Sequence, residues 1–286
     1  AVHPQQLYVG GVDAYRSHAG GQTWPLVNGW AEYYGDPANK LHADIPAFDA
    51  FRDSLGGDLI YISTDGGTYR STNGLLTVQN LSLSGLNVSQ YYSVYTNRWN
   101  PNIIFAGSQD QGFQRATQDQ GRTLSFTQTI SGDYGHIVSQ NGGNTVWANY
   151  PGFTIVYPNA SFSTYNLTLS FPGSGHLWLA PLMEDPLSPV KAFLGGGGLN
   201  GGAHLFRIEL SSEQLFAVQE PFDFSRGFGS SISAMAYSPI QNQFRYVMTD
   251  IGDFFASGNG GNNWTHSPGF SGPQGQYFYG ASILAS

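Results

Sequence analysis

Six side chains in this chain are of the types that do chemistry together: His42, Asp44, Asp65, Gln109, Asp110 and Asp133. Four of them sit in Gly-rich turns, Asp65-Gly66-Gly67, Gln109-Asp110-Gln111-Gly112 and Gly132-Asp133, and His42 and Asp44 stand together in His42-Ala43-Asp44. Carboxylates and amide oxygens with one imidazole suit two tasks. They can gather around Ca²⁺, which takes oxygen ligands, or they can hydrogen-bond the hydroxyls of a sugar. Asp65 and Asp110 are the candidate metal ligands. A third task is glycoside hydrolysis, which needs two carboxylates about 5 to 5.5 Å apart for retention or about 6.5 to 9.5 Å for inversion. Asp65 with Asp110 or Asp44 could supply such a pair. The competing reading is that each Asp caps its own turn.

These residues act together only if the chain brings them to one place, so the elements that carry them matter. Short apolar, β-prone runs recur at Leu7, Leu59, Ile103, Thr145, Ala192 and Phe244, roughly 42 to 53 residues apart. Each is bounded by turn residues and followed by a second such run. That period fits a four-stranded β-propeller blade. The expectation is an all-β propeller of about six four-stranded blades, residues 1–286 forming one domain; seven blades, or a share of a larger propeller, is the alternative. In such a fold the loops between blades share a face with the turns between second and third strands. His42, Asp44 and Asp133 fall in the first kind of connection, Asp65, Gln109 and Asp110 in the second. They are therefore expected near one mouth of the central channel, with Asp13 and Asp250 at equivalent turns of other blades.

Composition supports the same class. The 286 residues hold 38 Gly and 15 Pro, 15% are aromatic, and only 11 are Lys or Arg. Helical surfaces want Lys, Glu, Arg and Ala, whereas aromatic and β-branched residues favour a pleated sheet. A net charge of -8 argues against a nucleic-acid partner. No run of about 18 apolar residues exists to span a membrane. With no Cys there are no disulfides and no thiolate sites. A chain rich in Asn, Gln, Ser, Thr, Gly and Tyr and nearly free of Lys reads as a secreted or cell-surface bacterial protein. Because it opens at Ala1, a removed leader is expected, and it could be a fragment of a longer polypeptide. Five N-x-S/T sequons, at Asn80, Asn87, Asn159, Asn166 and Asn263, are what chance gives in so Asn-rich a sequence.

Four units carry a second signature after their third strand: Ser17 to Trp24, Ser71 to Val78, Thr117 to Leu124 and Ser257 to Trp264. All resemble S/T-x-D-x-G-x-T-W, the Asp box of the BNR repeat in sialidases, sortilin-like receptors and xyloglucan-cleaving glycosidases. Only Asp119 keeps the acid; Ala19, Asn73 and Asn259 replace it. The boxes are thus expected to stabilise turns, not to bind calcium. The order of Tyr15-Arg16-Ser17, His42-Ala43-Asp44, Asp65 to Ser71, Gln109 to Gly112 and Gly132 to Gly135 is similar to a bacterial branch of these repeats found in large secreted proteins. Gln111 stands there in place of Asn, and Tyr134 in place of Gly. The resemblance implies architecture and secretion more than chemistry.

Other candidates are weaker. A sialidase needs three arginines on a carboxylate, but Arg16, Arg70 and Arg115 occupy equivalent repeat positions, which reads as structural. Phe206-Arg207-Ile208-Glu209 lacks the Pro of the sialidase F-R-I-P element and reads as coincidence. Gly195 to Gly202 has neither the Lys nor the helix of a phosphate loop. Tyr33, Tyr34, Tyr91 and Tyr92 could stack on sugar rings or pack between blades. The closing stretch Gln276 to Leu284 reads as a lone strand that pairs beside Leu7 and closes the ring. With no insertion to build a cleft, the expected function is a non-catalytic recognition or scaffold module for a glycan, a protein or another copy of itself. The alternative is a glycan-active hydrolase using the channel-mouth carboxylates.

Overall fold

The computed structural model describes residues 5–52, 54–83, 89–97, 99–116, 126–267 and 282–285. The chain is all-β and of the β-propeller class, built from sheets in which consecutive strands pair antiparallel. Strands β1 (Leu7–Gly10) and β2 (Ala14–Ser17) form a two-stranded sheet. Five four-stranded sheets follow. The first is β3 (Ala47–Arg52), β4 (Asp58–Thr64), β5 (Gly67–Ser71) and β6 (Gln79–Asn80). The second is β7 (Tyr91–Thr96), β8 (Ile104–Ser108), β9 (Gly112–Ala116) and β10 (Thr127–Ile130). The third is β11 (Gly135–Val138), β12 (Val146–Tyr150), β13 (Phe153–Tyr157) and β14 (Leu167–Ser170). The fourth is β15 (Leu182–Asp185), β16 (Ser188–Gly195), β17 (Leu205–Ser211) and β18 (Gln214–Gln219). The fifth is β19 (Ile232–Tyr237), β20 (Arg245–Thr249), β21 (Phe254–Ser257) and β22 (Thr265–His266).

Among the described residues, six sheets therefore stand where about six blades are expected. The recurring apolar run is the second strand of every four-stranded sheet and the first of the opening pair. The only helix among the described residues is a 3₁₀ segment, Trp30–Gly35, where the Glu32 carboxylate accepts the Gly29 N–H at 2.9 Å. It carries Tyr33 into the interior, fully buried and edge-on to His42, so Tyr33 is not a free stacking surface. The closing strand expected at Tyr277 to Leu284 falls mostly outside the described residues, and the described 282–285 carry no strand. The box at Thr117 to Leu124, with Asp119, also lies outside them.

The chain divides into two compact units. The first comprises residues 1–90, 108–112 and 130–132; the second comprises 91–107, 113–129 and 133–286. The core of the first gathers Ile60 and Ile62 of β4, Tyr69 of β5, Leu41, Ile45 and Leu75. Alternation places them there: in β5, Tyr69 and Ser71 point inward while Arg70 does not. The second unit has three core clusters, in one of which Phe105, Phe113 and Tyr157 stack at centroid distances of 5.7 and 4.6 Å. Burying each such ring stabilises the fold by roughly 1.5–3 kcal/mol.

The turns after third strands share one hydrogen-bond scheme. Ser71 Oγ accepts the Leu75 N–H at 3.0 Å, and Asn73 Oδ1 accepts the Thr77 N–H at 3.0 Å. Ser257 and Asn259 do the same for Gly261 and Asn263, both at 2.9 Å. At Ser17 the hydroxyl accepts the Gly21 N–H at 2.9 Å, but Ala19 has no side-chain acceptor to offer. A further turn of this build follows a first strand, β11: Ser139 Oγ accepts the Gly143 N–H at 2.9 Å and Asn141 Oδ1 the Thr145 N–H at 2.8 Å. Its sequence, Ser139-Gln140-Asn141-Gly142-Gly143-Asn144-Thr145, carries the motif but lies out of phase with the others. Two of the repeat-equivalent arginines hold backbone oxygens, Arg16 donating to Gly74 O at 3.4 Å and Arg115 to Ala160 O at 2.7 Å, while Arg70 donates to the Gln79 side-chain oxygen at 2.8 Å.

Candidate functional site

The first unit contains a cavity of about 350 Å³ lined by Thr64, Asp65, Gly67, Thr68, Ser82, Ser89, Gln90, Gln109 and Gln111. Two tight turns build it. Strands β4 and β5 pair through Thr64 and Gly67, leaving Asp65-Gly66 as a two-residue connection with Asp65 exposed. The His42 ring packs so closely on Gly66 that a Cβ there would lie 2.4 Å from it. Only glycine fits. The second turn, Gln109-Asp110-Gln111, reverses the chain with Asp110 at φ 59°, a conformation that Asp tolerates better than most residues.

Gln111 joins the two turns. Its Nε2 donates to Gly66 O at 3.1 Å, and its Oε1 accepts from Ser89 Oγ at 2.7 Å. The Gln109 N–H bonds Gln90 O at 2.9 Å, and Ser82 Oγ accepts the Thr68 N–H at 2.9 Å. The wall is thus a lattice of hydroxyls and amides with a single carboxylate, Asp65.

Among the sequence candidates, Asp65 and Gln109 line this cavity. His42 and Asp110 lie in the same unit but form a pair, Nε2 to Oδ1 at 3.5 Å, with His42 only 8% exposed and Asp110 half-buried. The opposite ring nitrogen of His42 meets Ala43 O at 3.2 Å. With an oxygen facing each nitrogen, a neutral imidazole can donate to only one. The His42 backbone N–H bonds the Tyr69 hydroxyl at 3.3 Å, to which Asn80 also donates at 3.1 Å. Burial pushes the Tyr69 phenol well above its ordinary value, so it stays protonated. Asp44 is exposed at φ 58°, outside the cavity lining. Asp133 belongs to the second unit, half-buried ahead of β11. Asp13 and Asp250 cap backbone, accepting the N–H groups of Trp30 at 2.8 Å and Ser231 at 2.9 Å. No group of three or more His, Asp or Glu side chains fit to hold a metal occurs among the described residues.

Sequence reading passed over Ser82, Ser89 and Gln111. Gln111 had a signal, since it departs from the Asn of the resembling repeats at the position that joins the turns. Ser82 and Ser89 have none, standing in an irregular stretch whose neighbours give no period.

No helix among the described residues is long and apolar enough to cross a membrane. No family model matches the chain, and no curated protein matches its sequence. Among solved structures it is similar to YCF48 bound to D1 peptide, at 16% identity over 97% of this chain and 82% of that one, with a TM-score of 0.48. It is similar to YCF48 from Cyanidioschyzon merolae at 14% identity, covering 97% and 85%, with a TM-score of 0.48. An ancestral GH74 enzyme matches at 17% identity over 82% of this chain and 32% of that one, with a TM-score of 0.47. None of these says what this chain binds.

Proposed function

We propose that the chain is a secreted or cell-surface recognition propeller of the Asp-box class, without catalytic activity, and that the first unit's cavity receives a glycan. One observation carries this reading: the cavity offers many hydroxyl and amide groups but one carboxylate. Hydrolysis of a glycoside needs a second carboxyl group across the scissile bond, and Asp110 is turned into its pair with His42. A wall that both donates and accepts matches the hydroxyls of a sugar. The serine–asparagine turns support the class assignment, because their hydrogen bonds are those an Asp box makes.

Screening the protein against neutral oligosaccharides by calorimetry, with release of reducing ends followed in parallel, tests both halves. Binding without hydrolysis is expected. Replacing Asp65 and Gln109 together by Ala should weaken binding at least about tenfold, each lost hydrogen bond being worth about 0.5–1.5 kcal/mol. Reducing-end release that disappears in Asp65→Asn would make the chain a hydrolase. Binding only to extended peptides would make a protein the ligand.

A further inference from the structure

A second cavity, also about 350 Å³, lies wholly within the second unit and differs in chemistry. Its floor is Arg245, the first residue of β20, only 7% exposed. The guanidinium lies over the Phe193 ring, 4.7 Å from its centre. Its Nε has no hydrogen-bond partner, and no carboxylate pairs with it among the described residues. Burial pushes its pKa down, against the more distant pull of Asp185 and Glu220. A buried charge without a partner is costly, and cation–π contact leaves the in-plane N–H groups unserved. Gly261, in the turn after β21, stands beside it: a Cβ there would lie at ordinary contact distance, 3.8 Å from Arg245 Cδ and Nη1 and 3.5 Å from Trp264.

The rest of the wall narrows the ligand. Arg207 also lines the cavity, its Nε paired with Glu220 Oε1 at 3.2 Å. Two guanidiniums and one carboxylate leave the cavity with one excess positive charge, in a chain whose net charge is -8. That balance suits one carboxylate rather than a dianion, and the guanidinium fork matches a carboxylate in two parallel hydrogen bonds. Phe222 and Trp264 supply aromatic surface. Glu220 and the Asn262 amide oxygen are acceptors, which call for hydroxyl donors on the ligand. One carboxylate, several hydroxyls and a compact ring describe an acidic sugar.

We propose that this cavity binds a hexuronic acid residue of an acidic glycan, its carboxylate on Arg245, its ring against Trp264 and its hydroxyls on Glu220 and Asn262. The site is independent of the first unit's cavity.

Calorimetry with glucuronate and galacturonate oligomers, and with their uncharged carboxamides, tests this on the unaltered protein. The uronates should bind at least about tenfold more tightly than the carboxamides, since a charge-assisted pair is replaced by a neutral one. Arg245→Met, which keeps the stem over Phe193, should lose at least about tenfold in affinity, and Arg207→Gln a few-fold. The Asp65 and Gln109 double variant should bind uronate unchanged, which separates this site from the one proposed above. Equal binding of uronate and carboxamide, or no uronate binding at millimolar concentration, overturns the proposal. Benzoate binding as well as uronate overturns its sugar part. Should Arg245→Met fail to fold, the carboxamide comparison still decides.

Discussion

Two cavities of equal size have been built by one repeat in opposite ways. In the first unit the wall comes from two turns between second and third strands and from Ser82, Ser89 and Gln90 between β6 and β7, and apart from the Asp65 carboxylate its groups are neutral hydroxyls and amides, several bonded to each other. In the second unit the wall comes from strand residues, Phe193, Arg207 and Arg245, roofed by the turn after β21. The first is a hydrogen-bonded lattice that positions dipoles. The second is an aromatic and cationic pocket whose buried guanidinium has no carboxylate partner among the described residues. A propeller can vary its chemistry either on its turns or along its strands without changing strand pairing.

The two should differ most in what a methyl group does to them. A Cβ on Gly112 would stand 1.8 Å from Ile130 O, at φ 74°, so Gly112→Ala must move backbone. It should cost about 3 kcal/mol or more and abolish binding at the first cavity. Gly261→Ala meets only ordinary contacts and should cost about 1 kcal/mol, chiefly from its φ of 92°. Urea denaturation of both variants measures the gap, and equal costs would erase the proposed difference in backbone tightness.

Turn chemistry gives the next largest effect. Ser71→Ala removes the acceptor of the Leu75 N–H, a buried bond, and should destabilise by about 1–2 kcal/mol. In the turn at Ser17, Ala19 leaves the usual acceptor missing, so Ala19→Asp should stabilise by about 0.5–1 kcal/mol. A loss on Ala19→Asp would show that this turn does not share the scheme of the others.

Acid should act on the second unit through two histidines. Burial pushes the imidazoles of His136 and His176 below their ordinary value. Their folded forms hold the neutral ring, so stability is complete above the unfolded value of about 6.5. As pH falls below it, the unfolded chain takes up protons first, and stability declines until the lower folded value is reached. Denaturation midpoints at pH 7 and pH 5 should show this loss, and His136→Asn, which tolerates the φ of 47° at that position, should reduce it. An unchanged pH dependence in both His136→Asn and His176→Gln would remove these residues from the account.

Calcium should matter least. Asp110 faces His42, and no group of three candidate ligands is gathered among the described residues. Millimolar Ca²⁺ should therefore move the melting temperature by no more than about 1 °C. A larger rise that vanishes when Asp65 and Asp110 are both replaced by Asn would place a cation at the first cavity after all.

The strand system was legible in the sequence because its signals are local. Apolar runs such as Leu59 to Ile62, turn residues and box serines each act within a few positions, and the blade is made by neighbours in the chain. Asp65 and Gln109 were legible for the same reason, as residues of turns whose place in a blade follows from the period. What required the tertiary structure is every choice between partners far apart in sequence. His42 turns Asp110 inward; Gln111 ties one turn to another 45 residues away; Tyr33 is carried into the core. Arg245 carries no sequence signal and is a buried cation without a carboxylate partner among the described residues because Phe193, Gly261 and Trp264 meet around it. Repeat spacing determines which residues sit on which kind of element, but burial and pairing are properties of packed neighbours, and periodicity does not encode those.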